Sequence, residues 1–138
     1  MPTSTNISLQ ILAVVAFAAL RLAAPGWWLV LFVFSLIGPV LVLVPTIAAL
    51  ATARRGTLER SVAVPFVATA VLLVVAGATV PDFGDDSGAY LPFGGHVDGP
   101  IIEVMNGIGG VAVLGFVASL IWTLCAVAST RRPAAVRI

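Results

Sequence analysis

Thr52-Ala53-Arg54-Arg55-Gly56-Thr57-Leu58-Glu59-Arg60 (residues 52–60) holds three of the chain's seven basic residues and separates two long apolar stretches. Arg131, Arg132 and Arg137 close the last apolar stretch, and only Arg21 falls elsewhere. Five of the six acidic residues, Asp82, Asp85, Asp86, Asp98 and Glu103, lie at the opposite ends of these stretches. Cytoplasmic loops of membrane proteins keep an excess of Lys and Arg, so the alternation reads as a topology diagram. The expected fold is an all-α integral membrane protein, a four-transmembrane-helix bundle with both termini cytoplasmic. Its topology anchors are Arg54, Arg55, Arg60, Arg131 and Arg132.

Composition points the same way. The 138 residues are 60% hydrophobic and 9% charged, with a mean hydropathy of +1.14, whereas a soluble domain is about 25% charged. Residues 1–138 therefore read as one membrane domain whose first partner is the lipid bilayer. The net charge of +1 sums two segregated populations and leaves no basic face for nucleic acid. Lysine is absent and Ala, Val and Leu dominate, which suggests a bacterial inner (plasma) membrane. A single cysteine, Cys125, excludes an internal disulfide and a multi-cysteine metal site.

A hydrocarbon core of about 30 Å needs about 20 helical residues. That length places spans at about 7–24, 27–51, 61–80 and 101–129. Helices are required because lipid offers no partner to a free backbone N–H or C=O. Pro25-Gly26 breaks the chain between the first two spans, and Trp27-Trp28 sit where indoles favour the headgroup boundary. The first span is the shortest, with 14 residues from Ile7 to Leu20 ahead of Arg21. It is expected to be retained, since a basic n-region is missing and Arg21 spoils a small-residue cleavage site. An interfacial helix is the alternative. Pro39, Pro45 and Pro65 fall inside spans, where proline removes a backbone hydrogen bond; each marks a packing kink or, functionally, a gate or groove.

Between the third and fourth spans lies a non-cytoplasmic loop of about 20 residues, 81–100, rich in Gly, Asp and Pro. Turn chemistry accounts for its aspartates, whose spacing does not follow a calcium-binding loop, so no metal is expected. Tyr90, Leu91, Pro92 and Phe93 form an apolar patch. It could lie on the membrane, fold over the bundle or dock a partner, and the last is the functional expectation.

Glu103 is the only carboxylate inside an expected span, and it shares a helix face with Asn106, Gly107 and Gly110. Arg21 and Glu103 both fall about one turn inside the same boundary, so an interhelical Arg21–Glu103 ion pair is expected. The alternatives are separate snorkelling and pairing with charges on a partner subunit. Gly115, Ser119 and Thr123, four apart on the opposite face, suit close helix packing within the bundle or against another protein. One loop histidine, His96, and one cysteine at the other side assemble no nucleophilic or haem-binding set. No catalytic residue and no cofactor is assigned. The expected function is that of a non-catalytic accessory or scaffolding subunit of a larger multi-subunit membrane complex, of respiratory, secretory or lipid-transport type, with other integral membrane subunits as partners. The alternative is a small homo-oligomeric transporter or channel.

Overall fold

The computed structural model describes residues 1–84 and 88–130. Asp85, Asp86, Arg131, Arg132 and Arg137 lie outside the described residues. In chain order come α1 (Thr3–Ala23), α2 (Trp27–Phe34), α3 (Ile37–Ala51), a 3-10 turn (Ala53–Arg55), α4 (Arg60–Thr79), β1 (Asp82–Phe83), β2 (Ala89–Leu91), β3 (Gly95–Val97) and α5 (Pro100–Ser129). Four helical segments, Thr3–Ala23, Ile37–Arg55, Arg60–Thr79 and Pro100–Ser129, are long and apolar enough to cross a membrane.

Hydrogen bonds define the two ends of the bundle. At the arginine end, the Met1 ammonium donates to the Leu58 carbonyl at 3.0 Å. The Leu58 N–H donates back to Met1 O at 2.8 Å, and Thr3 N–H donates to Gly56 O at 3.0 Å. Arg55 Nη1 donates to the Thr130 hydroxyl, so the end of α5 meets the same loop. At the aspartate end, Arg21 reaches residues 80 and 82. The first apolar segment is therefore one helix of 21 residues, about 31 Å long, running the length of the bundle. It starts earlier than Ile7 because Thr3, Asn6 and Gln10 repeat on one face and point inward, all buried.

The stretch expected as a second span, 27–51, is broken into α2 and α3. Pro39 has no N–H to donate to Ser35 O, and its ring would clash with that carbonyl in a continuous helix. The chain ends α2 at Phe34, places Leu36 in the left-handed region at φ 58°, and restarts α3 so that Pro39 lies in its first turn, where a missing donor is harmless. Pro45 and Pro65 remain inside α3 and α4, both fully buried.

Helix α5 packs mainly along α4. Their contact is polar in the arginine half: Thr69 Oγ1 donates to Pro65 O at 2.8 Å and lies 3.1 Å from both Ser119 Oγ and Thr123 Oγ1. Gly115 sits against Leu72, where an added Cβ would come within 3.2 Å of that side chain. On α1, Gln10 Nε2 donates to Asn6 Oδ1 at 3.3 Å and to Phe66 O on α4 at 3.1 Å. In the aspartate half the core is apolar, built on Ala13, Val42, Ala70, Leu73, Phe116 and Leu120.

The 81–100 loop is a small antiparallel sheet in the order β1-β2-β3. Asp82 stands opposite Tyr90, and Tyr90 opposite His96. The two rings of the second pair meet edge to face at 5.4 Å.

Gly109 marks where α5 passes the end of α4: an added Cβ would lie 3.1 Å from both Val80 N and Val80 Cα. At Gly110, one residue on, nothing lies within 4 Å. Gly109→Ala is expected to lose about 1–3 kcal/mol by overpacking against backbone, and Gly110→Ala to be neutral or to gain up to about 1 kcal/mol of helix propensity. Denaturant titration of the two variants in detergent, followed by circular dichroism, measures the contrast.

Candidate functional site

The aspartate end is organised by two charges from different helices. Arg21, two residues before α1 ends, is 5% exposed, and Asp82, just past α4, is 0% exposed. Arg21 Nη2 lies 2.5 Å from Asp82 Oδ2, and Arg21 Nη1 donates to Val80 O at 2.6 Å. Pro25-Gly26 precedes α2 and supplies no capping side chain, so the first N–H groups of that helix need an acceptor from elsewhere. Asp82 provides it: Trp28 N–H donates to Oδ1 at 2.8 Å and Leu29 N–H to Oδ2 at 3.2 Å. The positive end of the α2 dipole adds to the attraction. Phe83 N–H donates to Oδ1 at 3.0 Å, and the Phe83 ring meets Trp28 edge to face at 5.8 Å. Gly26 permits this approach, because a Cβ there would collide with the Asp82 carboxylate and with Phe83 O.

The expected Arg21–Glu103 pair is thus corrected: Arg21 pairs with Asp82. The reason is depth. Gly109 is level with Val80, so Glu103, six residues earlier on α5, stands about 9 Å farther out along the axis. It is exposed in the first turn of α5, where the helix N-terminus favours an anion.

The remaining singled-out residues on α5 separate into three settings. Ser119, Thr123 and Gly115 face α4, as described above. Asn106 and Gly110, with Gly109 and Val113, line a cavity between α5 and the α2–α3 pair. Gly107 faces outward beside Glu103, with nothing within 4 Å of an added Cβ. The outer-loop patch is divided: Leu91 is buried, Tyr90 and Pro92 are half-buried, and Phe93, in the turn after β2, is 83% exposed. Arg54 and Arg60 are exposed at the arginine end, and Arg55 is half-buried. Among the described residues, no group of three or more His, Cys, Asp or Glu side chains converges.

Sequence reasoning missed Asp82, Gly26 and the inward Thr3-Asn6-Gln10 stripe. Signals for all three existed. An uncapped helix start after Pro-Gly demands a distant acceptor, and Pro81-Asp82 places a carboxylate at the end of a neighbouring span.

Arg21→Gln or Asp82→Asn strands one buried charge and is expected to reduce stability by about 3–5 kcal/mol. The double variant should lose clearly less than the sum, whereas Glu103→Gln should change stability by less than about 0.5 kcal/mol. Denaturant titration in detergent measures all four. No protein-family model matches the chain, and comparisons with curated proteins and with solved structures return no match.

Proposed function

We propose that this chain is a non-catalytic accessory or scaffolding subunit of a multi-subunit membrane complex, set in a bacterial plasma membrane with its arginine end in the cytoplasm. The orientation rests on the charge asymmetry between the ends. Arg54, Arg55 and Arg60 lie at one end, and Asp82, Asp98 and Glu103 at the other.

The observation that carries the subunit reading is the overhang of α5. Its first nine residues, 100–108, precede the level at which α4 ends, a projection of about 13 Å. Along this part and just below it, Ile101, Val104, Ile108 and Val111 follow one another at spacings of three, four and three, the rhythm of a helix-pairing seam. Each is at least 43% exposed. An apolar ridge rising past its own bundle calls for a protein neighbour. Glu103 and Gly107 flank it, one offering a charge and the other room for a close approach. A helix packed on the ridge with a basic or hydrogen-bond-donating side chain opposite Glu103 satisfies both. Phe93, projecting from the sheet at the same end, is suited to a second contact.

The transporter or channel reading has less support. It leans on the broken second span, yet Leu36 and Ile37 at the break are exposed on the outside of the bundle, away from any interior path. The positive end of α2, which could hold a transported anion, is taken by Asp82.

Purification of a tagged chain from native membranes in mild detergent should yield a stoichiometric membrane protein partner. Val104→Glu should reduce that partner at least tenfold while leaving the helical content unchanged. A discrete homo-oligomer with no other protein would favour the alternative instead. For orientation, single cysteines at Thr57 and Phe93 in a Cys125→Ser background are treated with an impermeant maleimide on intact cells. Position 93 should be labelled and position 57 spared; the reverse pattern overturns the topology.

A further inference from the structure

A cavity of about 590 Å³ opens at the aspartate end between α5 and the α2–α3 pair. It exists because α5 leans on α4 and meets α3 only lightly. Phe17 and Leu73 line it from α1 and α4, Phe32 from α2, and Gly110 and Val113 from α5. Along α5 its lining runs from Asn106 to Val117, about 16 Å of helix, or half of a hydrocarbon core of about 30 Å. Side-chain N–H donors occur at its mouth alone, from Arg21, Trp28 and Asn106. All the deeper lining is apolar.

Three constraints identify the occupant. Apolar walls at membrane depth do not hold water. A helix is about 10 Å across with its side chains, whereas a hydrocarbon chain is far thinner and can follow the apolar lining along its whole run. The Arg21 charge is neutralised by Asp82 at 2.5 Å, yet two of the five guanidinium N–H groups suffice for its bonds to Asp82 and Val80. Among the described residues that line it, the mouth is therefore donor-rich with its one cation neutralised, which suits a neutral carbonyl oxygen better than an anion.

We propose that one acyl chain of a glycerolipid, drawn from the leaflet at the aspartate end, occupies this cavity with its ester carbonyl among Arg21, Trp28 and Asn106. The chain reaches the bilayer midplane and fills the space between α5 and the broken span. The site is independent of the subunit reading, since Glu103 and Gly107 lie on the adjacent flank of α5.

Native mass spectrometry of the full chain in mild detergent tests it, with palmitoyl-oleoyl phosphatidylcholine and the matching phosphatidylglycerol as probes. The wild type should retain one phospholipid per chain through detergent exchange, with the two probes held within about threefold of each other. Gly110→Phe, whose ring enters the open space, should lower retention at least tenfold with unchanged helicity and elution. Gly107→Phe should retain lipid as the wild type does. Val113→Trp fills the same space from another position and should match Gly110→Phe, so a folding failure of either leaves the other to decide. Equal retention by wild type and both cavity-filling variants overturns the proposal. So does a tenfold preference for phosphatidylglycerol, or a lipid-free dimer that Gly110→Phe dissolves, which would give the cavity to a second copy.

Discussion

The architecture depends on one buried carboxylate. A carboxylate removed from water is tolerated only when its lone pairs find partners. Asp82 meets that condition with four donors, Arg21 Nη2 and the N–H groups of Trp28, Leu29 and Phe83. In doing so it settles three separate problems. It neutralises an arginine near the end of a membrane helix, caps a helix that follows Pro-Gly, and fixes the first residue of the sheet. Because these partners come from α1, α2 and the chain just past α4, the register of those elements at this end is set together.

The four long apolar helices were legible because lipid makes strict demands on length and charge, and the arginine clusters punctuate the chain at the right intervals. What escaped was whatever depends on how helices are offset along their axes. Counting from Pro100 put Glu103 at the depth of Arg21, but α5 begins well outside the end of α4, and that offset is decided by Gly109 against Val80, a contact no spacing encodes. The break before Pro39 was only partly legible. Proline at that point forbids a continuous helix, yet whether the chain kinks or stops depends on whether a residue such as Leu36 can adopt a left-handed conformation there. The Ser119-Thr123 stripe was visible as a packing face, while its hydrogen-bonding partner, Thr69, could have been found only by aligning α4 against α5.

The bundle is chemically divided along its axis. Toward the arginine end, helices meet through hydroxyls and carboxamides, with Gln10 reaching Phe66 O and Thr69 reaching Ser119 and Thr123. Such bonds define how helices pair when lipid and side chains are equally apolar. Toward the aspartate end, polar groups withdraw to the Arg21–Asp82 pair, and the cavity that opens beneath it is lined by apolar side chains, whereas a smaller one at the arginine end is lined by Arg55, Thr57, Glu59 and Thr130 beside Leu58 and Val62.

The inward stripe on α1 has a consequence for biogenesis. During synthesis α1 leaves the ribosome well before α4, carrying Gln10 without Phe66 and Arg21 without Val80 and Asp82, so that Asn6 and Gln10 have only each other. On its own it is a poor candidate for lateral release into lipid, since each exposed polar group opposes partitioning. Stable insertion of the first helix therefore waits for the arrival of Phe66 and Asp82, and the chain should enter the bilayer as a cooperative unit instead of one helix at a time.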